Sequence, residues 1–229
     1  MPDTSNPTHV LRSYGRTGGR PLSARQKTLM AERLYLWQIP AGDDPLDLAP
    51  LFPGKSEIWL EIGFGGAEHL IAQAKRHPET GFIGCEPFVE GVAKAVIGIE
   101  DEGLENVRLW PDDVRLLLAR LPDASLSRVF ILFPDPWPKR RQQKRRLVQP
   151  EFLQLLRPKL RPGAAIRFAT DVRSYADEAL LTFLSGAGFH WTAGSAADWR
   201  EAPADHVTTR YESKRLGDCA PVWLDCIAT

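Results

Sequence analysis

The residues Phe133-Pro134-Asp135-Pro136-Trp137-Pro138-Lys139 run directly into Arg140-Arg141-Gln142-Gln143-Lys144-Arg145-Arg146. This stretch gathers one carboxylate, one large aromatic plane and, from Lys139 to Arg146, six basic side chains within eight residues. Its three prolines fix φ and remove three amide donors, so the loop that carries Asp135 is stiff and stands outside any strand ladder. A carboxylate and an indole beside concentrated positive charge suit a planar, electron-rich base carried on a phosphate backbone. Taken alone, the stretch also describes a proline-rich turn with a solvated basic face, and the rest of the chain has to decide between the two.

Further carboxylates stand where apolar runs stop. The first run ends Leu60-Glu61-Ile62-Gly63-Phe64-Gly65-Gly66-Ala67. Gly63 and Gly65 let the backbone approach a ligand and turn into a helix. Glu68 occupies the place of a third glycine, so this is not a full dinucleotide fingerprint. A carboxylate at position 61 suits a cationic amino group and disfavours a pyrophosphate. Glu86 follows Gly63 by 23 positions, the usual place for an acid that accepts both hydroxyls of an adenosine ribose. Asp112 and Asp113 end the third run, and one of them can accept an adenine amino group. Three acidic positions on successive strand ends fit S-adenosylmethionine better than a dinucleotide, the competing reading. His69 and His77 fall on or near a predicted helix and read as surface or cap residues. Asp177 and Glu178 read as acids of a helix first turn, and Trp191, Trp199 and Trp223 read as packing residues.

The elements that must hold these groups are legible as an alternation. Short apolar strands are expected at 58–62, 82–85, 107–110, 129–133 and 164–169. Helical segments are expected between them at 67–76, 88–99, 114–121 and 151–160, with another at 175–184. Alternation of this kind implies a doubly wound, mostly parallel α/β sheet with helices on both faces. Two final strands, 189–192 and 222–227, have no helix between them, which predicts an antiparallel end to a seven-stranded sheet. A chain of 229 residues with 43% hydrophobic content buries roughly 70% of its unfolded surface in one core. A flexible basic arm is expected over residues 1–31 and a single domain over 32–229. The arm reading rests on Arg12, Arg16, Arg20, Arg25 and Lys27, with no acid between Thr4 and Ala31.

Lys plus Arg equals Asp plus Glu at 29 each, so any nucleic-acid site must come from clustering and not from a global field. Cys85, Cys219 and Cys226 are odd in number and include no C-x-x-C pair. They argue against a metal site or a disulfide framework and for a reducing compartment. No apolar run approaches a membrane span, and a cytoplasmic location is expected.

The combination Glu61-Ile-Gly-Phe-Gly, Phe133-Pro-Asp-Pro-Trp-Pro-Lys, Lys144-Arg-Arg, Ala169-Thr170-Asp171 and Thr209-Arg210-Tyr211-Glu212 resembles the bacterial tRNA (guanine-N7)-methyltransferases, over roughly residues 10–225. The resemblance implies a Rossmann-like class I methyltransferase fold, S-adenosylmethionine as cofactor, and tRNA guanosine 46 as acceptor. It implies cofactor contacts at Glu61, Gly63, Gly65, Glu86, Asp113 and Asp135. It places Lys139, Asp171, Thr209, Arg210, Tyr211 and Glu212 on the substrate side, and Arg141, Lys144, Arg145 and Arg146 against RNA. Ala67, Pro138 and Tyr211 depart from the family's usual glycine, histidine and phenylalanine without removing a group the chemistry needs.

The chemistry stands apart from the name. Guanine N7 has an in-plane lone pair and no proton, so its methylation asks for alignment, exclusion of water and a negative charge near the base. Asp135, at the end of the fourth strand, is the first candidate for that charge, and Asp171, at the end of the fifth, is second. Trp137 either stacks on the base or packs the loop. Two rivals are a methyltransferase acting on an exocyclic base amine, and a non-catalytic RNA-binding protein on the same scaffold. The first expects a second proline before the aromatic, and the second expects the acids at 61, 86 and 113 to be gone. No obligatory protein partner is expected, and the chain is read as a monomer or a homodimer.

Overall fold

The computed structural model describes Gly19, residues 21–185 and residues 188–229. Seven strands form one sheet in the order β3-β2-β1-β4-β5-β7-β6. They are β1 (Ile58–Ile62), β2 (Gly81–Cys85), β3 (Val107–Trp110), β4 (Leu126–Leu132), β5 (Leu160–Thr170), β6 (Phe189–Trp191) and β7 (Val222–Ala228). The first five pair in parallel, while β7 runs antiparallel to both β5 and β6. β1 and β2 are buried along their whole length, as expected of central strands covered on both faces.

Alternation along the strands divides the core into two layers. Leu60, Ile62, Ile83, Val129, Ile131, Ile166 and Phe168 face one way. Trp59, Phe82, Leu109, Phe130, Leu132, Ala169 and Trp223 face the other. Helices α4 (Val114–Arg120), α5 (Pro150–Leu156) and α6 (Arg173–Leu184) cover the first layer, and α2 (Glu68–Arg76) and α3 (Val89–Glu102) cover the second.

Part of the stretch expected as a basic arm, from Ala24 onward, is helical in the structure. Residues 1–18 and Arg20 lie outside the described part, but Ala24–Trp37 is a helix, α1. It starts in a reciprocal capping box, with Gln26 N–H donating to Ser23 Oγ and Ser23 N–H donating to Gln26 Oε1. Leu29, Met30, Leu34 and Trp37 pack against the second core layer, and Arg25 and Arg33 pair with Asp101 and Glu100 of α3. A charge-rich segment is therefore ordered by one apolar stripe and its cap.

The connection from β6 to β7, residues 192–221, carries a four-residue helix α7 (Ala197–Arg200) and one 3-10 turn, Glu212–Lys214, and is otherwise irregular. It is held at Asp205. There the carboxylate accepts from Arg128 Nη2 at 2.9 Å and Arg167 Nη1 at 2.5 Å, and the carbonyl accepts from Gln73 Nε2 at 2.7 Å and Arg76 Nη1 at 2.8 Å. Burial raises the Asp205 carboxyl, but the two arginines more than offset it and hold it below its ordinary value. A second anchor lies at Gly217, where a Cβ would come within 2.0 Å of the Asp171 carbonyl oxygen. The amides of Asp218 and Cys219 both donate to that oxygen. These anchors bring Thr209–Glu212 back to the carboxyl ends of β4 and β5.

Candidate active site

The loop after β1 is built for close approach. Gly63 and Gly65 adopt φ +74° and +53°, and a Cβ at either would meet nothing within 4 Å, so open space lies above the turn. Ala67 ends it at φ +66°, a left-handed conformation that glycine adopts without penalty. At the end of β2, Glu86 grips this loop: its carboxylate accepts from Gly65 N at 2.8 Å and from Phe88 N at 3.0 Å. Burial pushes the Glu86 carboxyl above its ordinary value, the two amides pull it back, and the charges of Asp135 and Glu61 push it up again. Gly91 is a site residue that sequence reasoning missed. A Cβ there would lie 2.5 Å from the Gly65 carbonyl oxygen and 3.0 Å from Glu86 Cγ, so only glycine lets α3 seat against the loop.

Glu61 is 4% exposed and accepts from His69 Nδ1 at 2.7 Å. The expectation that His69 is a surface or cap residue is overturned, since it is 1% exposed, and a buried carboxylate requires such a partner. Asp113 caps α4 by accepting from Arg115 N at 2.9 Å, and Arg115 bridges both of its oxygens. Its carboxylate thus already has a structural task, while Asp112 is exposed beside it.

Asp135 sits between two residues in left-handed backbone. Phe133 and Trp137, either side of it, have φ +50° and +41°, although each precedes a proline, which drives its neighbour toward extended backbone. Such residues cost about 1–3 kcal/mol each and persist only where surroundings over-determine them. Here the Phe133 amide donates to the Ala169 carbonyl at 2.8 Å, Arg146 Nε donates to the Pro136 carbonyl at 2.9 Å, and the Arg145 guanidinium lies 5.1 Å from the Trp137 ring centroid. Asp135 is exposed, yet its charge reaches both Glu86 and Tyr211. The Tyr211 phenol is raised first by burial, then by Asp171 and Asp135. Tyr211 lies over Phe133, with ring centroids 6.0 Å apart, so the groups from β2, β4, β5 and the returning segment share one neighbourhood.

The basic run folds into a 3-10 helix, Arg140–Arg145, with Lys139 as its N-cap. Lys139, Arg140, Arg141 and Lys144 are exposed, and Arg145 is half-buried over Trp137. Arg146, expected against RNA, is instead buried. Its side chain has no exposure and donates to the Pro136 and Ser174 carbonyls, to Ser174 Oγ and to Glu178, with its guanidinium 4.8 Å from the Tyr175 ring centroid. It ties the Asp135 loop to α6 and cannot meet a phosphate. Glu178, which follows the first turn of α6, is its counter-ion. Within Thr209–Glu212, Arg210 is exposed, whereas Glu212 turns inward: its carboxylate pairs with His206 Nε2 at 2.7 Å, and Thr209 Oγ1 accepts its amide. Asp171 is 5% exposed beneath Gly217. Trp223, expected to pack, is fully buried.

Strand order and site together define a Rossmann-like class I methyltransferase. The family described as "putative methyltransferase" matches residues 55–223. A tRNA (guanine-N(7)-)-methyltransferase of Hyphomonas neptunium is 69% identical over 94% of this chain and 98% of its own length. One from Caulobacter vibrioides is 51% identical over 98% of each. The chain belongs to the tRNA (guanine-N7)-methyltransferase family. Among solved structures, a 16S rRNA (adenine(1408)-N(1))-methyltransferase from Catenulisporales acidiphilia with its cosubstrate SAM aligns at a TM-score of 0.57, with 20% identity, over 84% of this chain and 97% of that one. That likeness shows the shared fold.

Proposed function

We infer that this chain transfers a methyl group from S-adenosylmethionine to N7 of tRNA guanosine, at position 46 in the variable loop. The observation that carries the reading is the convergence of the strained Asp135 loop with Glu86 and Tyr211, beside an exposed basic 3-10 helix. The residues fit the cofactor: open space above Gly63 and Gly65, a buried Glu86 carboxylate for ribose hydroxyls, and Glu61 for a cationic amino group. When bound, S-adenosylmethionine supplies an electrophilic methyl on a sulfonium.

The chain's own residues then have positioning and electrostatic tasks. Asp113, with Asp112 beside it, marks the adenine end. Asp135 and Asp171 place negative charge where the base becomes cationic as N7 gains the methyl, which stabilises the transition state without proton transfer. Tyr211 and Phe133 give the base a flat, water-excluding boundary. Lys139, Arg141, Lys144 and exposed Arg210 take phosphates, a contact type that fixes register without reading sequence. The test is to incubate the protein with S-adenosylmethionine and unmodified tRNA, digest to nucleosides and identify the product by mass spectrometry. The expected product is 7-methylguanosine, lost when the variable-loop guanosine is replaced; a base methylated on an exocyclic amine refutes the reading.

A further inference from the structure

Glu61 stands in register with Phe130 of β4, Arg167 of β5 and Asp225 of β7, so these side chains share one face of the sheet. Of the described residues, only His69 hydrogen-bonds to the Glu61 carboxylate. The imidazole is itself fixed on three sides. Its ring meets Phe130 edge-on with centroids 4.7 Å apart, it stacks with His206 at 6.1 Å, and its Nε2 lies 3.2 Å from Gln73 Nε2.

That last contact determines which nitrogen carries the proton. The Gln73 amide nitrogen donates one hydrogen to the Asp205 carbonyl at 2.7 Å, which an amide oxygen in that place could not do. Its second hydrogen faces His69 Nε2, so Nε2 must accept. Nδ1 therefore carries the ring's single proton and donates it to Glu61. A neutral donor orients the carboxylate and leaves its full negative charge. An imidazolium in the same place would cancel the charge that a cationic amino group needs.

The same chain of contacts reaches the substrate side. Asp205 is followed by His206, whose Nε2 pairs with Glu212, and Glu212 closes the turn with Thr209. We propose that His69 is a positioning residue: as the Nδ1–H tautomer set by Gln73, it aims Glu61 at the amino group of S-adenosylmethionine and ties that carboxylate to the segment carrying Thr209–Glu212. The proposal rests on the reading of Glu61 given above and adds how that residue is held.

Three measurements on the full chain test it. Nitrogen-15 NMR of the imidazole in the unaltered protein should show His69 protonated on Nδ1 alone; a ring protonated on Nε2 alone, or on both nitrogens, overturns the proposal and requires no variant. In titration calorimetry with S-adenosylmethionine, His69→Phe should bind at least about tenfold more weakly, the scale of one hydrogen bond to a charged group. His69→Asn, which keeps a donor near the Nδ1 position, should recover most of that loss. In turnover, KM for the cofactor should rise in His69→Phe while kcat at saturating cofactor is retained; a fall in kcat at unchanged KM marks a merely structural histidine and overturns the proposal. Glu61→Gln separates the two readings. Weak binding by Glu61→Gln with normal binding by His69→Phe overturns only the role of His69. Normal binding by Glu61→Gln overturns the Glu61 reading and the proposal with it. In the Glu61→Gln background, His69→Phe should add no further loss.

Discussion

Replacing Arg146 with alanine separates a basic residue that builds the site from those proposed to meet RNA. The side chain is wholly enclosed and donates to Pro136, to Ser174 twice and to Glu178. Truncation leaves those acceptors facing a void, and breaking a buried ion pair from one side costs about 3–5 kcal/mol. The Glu178 side chain keeps 32% exposure, so water rehydrates it and the lower end, roughly 3 kcal/mol, applies. For a chain of this size that is a fall in Tm of roughly 6–12 °C. The loss also frees the Pro136 carbonyl and lets Phe133 and Trp137 relax, so turnover should fall with stability. The salt dependence of tRNA binding should not change, because no phosphate contact is removed. Arg141→Ala and Lys144→Ala should behave in the opposite way, with Tm retained and the log–log salt slope reduced by ~0.7–0.9 each. Urea or thermal unfolding together with filter binding across a salt series reads both quantities. An Arg146→Ala protein of normal stability with a flattened salt slope would refute the reasoning.

Asp135→Asn keeps the shape of the side chain and removes its charge; turnover should fall by roughly 10²-fold with little change in tRNA affinity, and single-turnover methylation near the native rate would sink its role. Burial lifts the Glu86 carboxyl, so the folded protein keeps a proton over a window in which the unfolded chain has released it. Its contribution to stability is full below the ordinary carboxylate range and is lost as pH rises through the lifted value. In the proposed site ribose hydroxyls donate to the ionised form of Glu86, so cofactor affinity should climb through the same window and the climb should flatten in Glu86→Gln; identical calorimetric pH profiles would contradict this. Gly91→Ala opposes two effects. Helix propensity alone favours alanine by about 1 kcal/mol, whereas a Cβ 2.5 Å from the Gly65 carbonyl costs about 1–3 kcal/mol and shifts the cofactor loop. Lower Tm and weaker cofactor binding are expected, and a stabilised protein would show that α3 has room to spare.

The strands were legible because buried parallel strands are short, mostly apolar runs with little else to be; Val129-Phe130-Ile131-Leu132 is such a run, and Ile58 to Ile62 is one interrupted only by Glu61. The strand-end acids were legible for the same reason, since the end of such a run fixes where the next polar side chain must stand. Boundaries failed where local chemistry and tertiary pairing disagree. A helix is expected at 151–160 and a strand from 164, yet α5 ends at Leu156 and β5 runs from Leu160 through Pro162 and Gly163, both exposed at a stretch beyond its main pairing with β4. The start of α1 was hidden by its charge, which outweighs a stripe that is only half-buried.

The residues misread within the site share one cause. His69 looks like any histidine on a helix face, because the Asp205 carbonyl that Gln73 holds beside it comes 132 positions after Gln73. Arg146 closes a run of cations and looks like the others, because its partners Ser174 and Glu178 lie 28 and 32 positions on. Both nonetheless answer a demand visible in the sequence. A carboxylate placed inside a buried strand must find a donor nearby, and the first turn of the helix that follows β1 offers His69. A loop in which three prolines remove amide donors must be fastened in part through its carbonyls, and the basic residue nearest the next apolar run, Leu147-Val148, is Arg146. The demand for a partner locates such residues where composition and periodicity cannot, because it follows from the cost of leaving a polar group unpaired and not from the pattern of the residues around it.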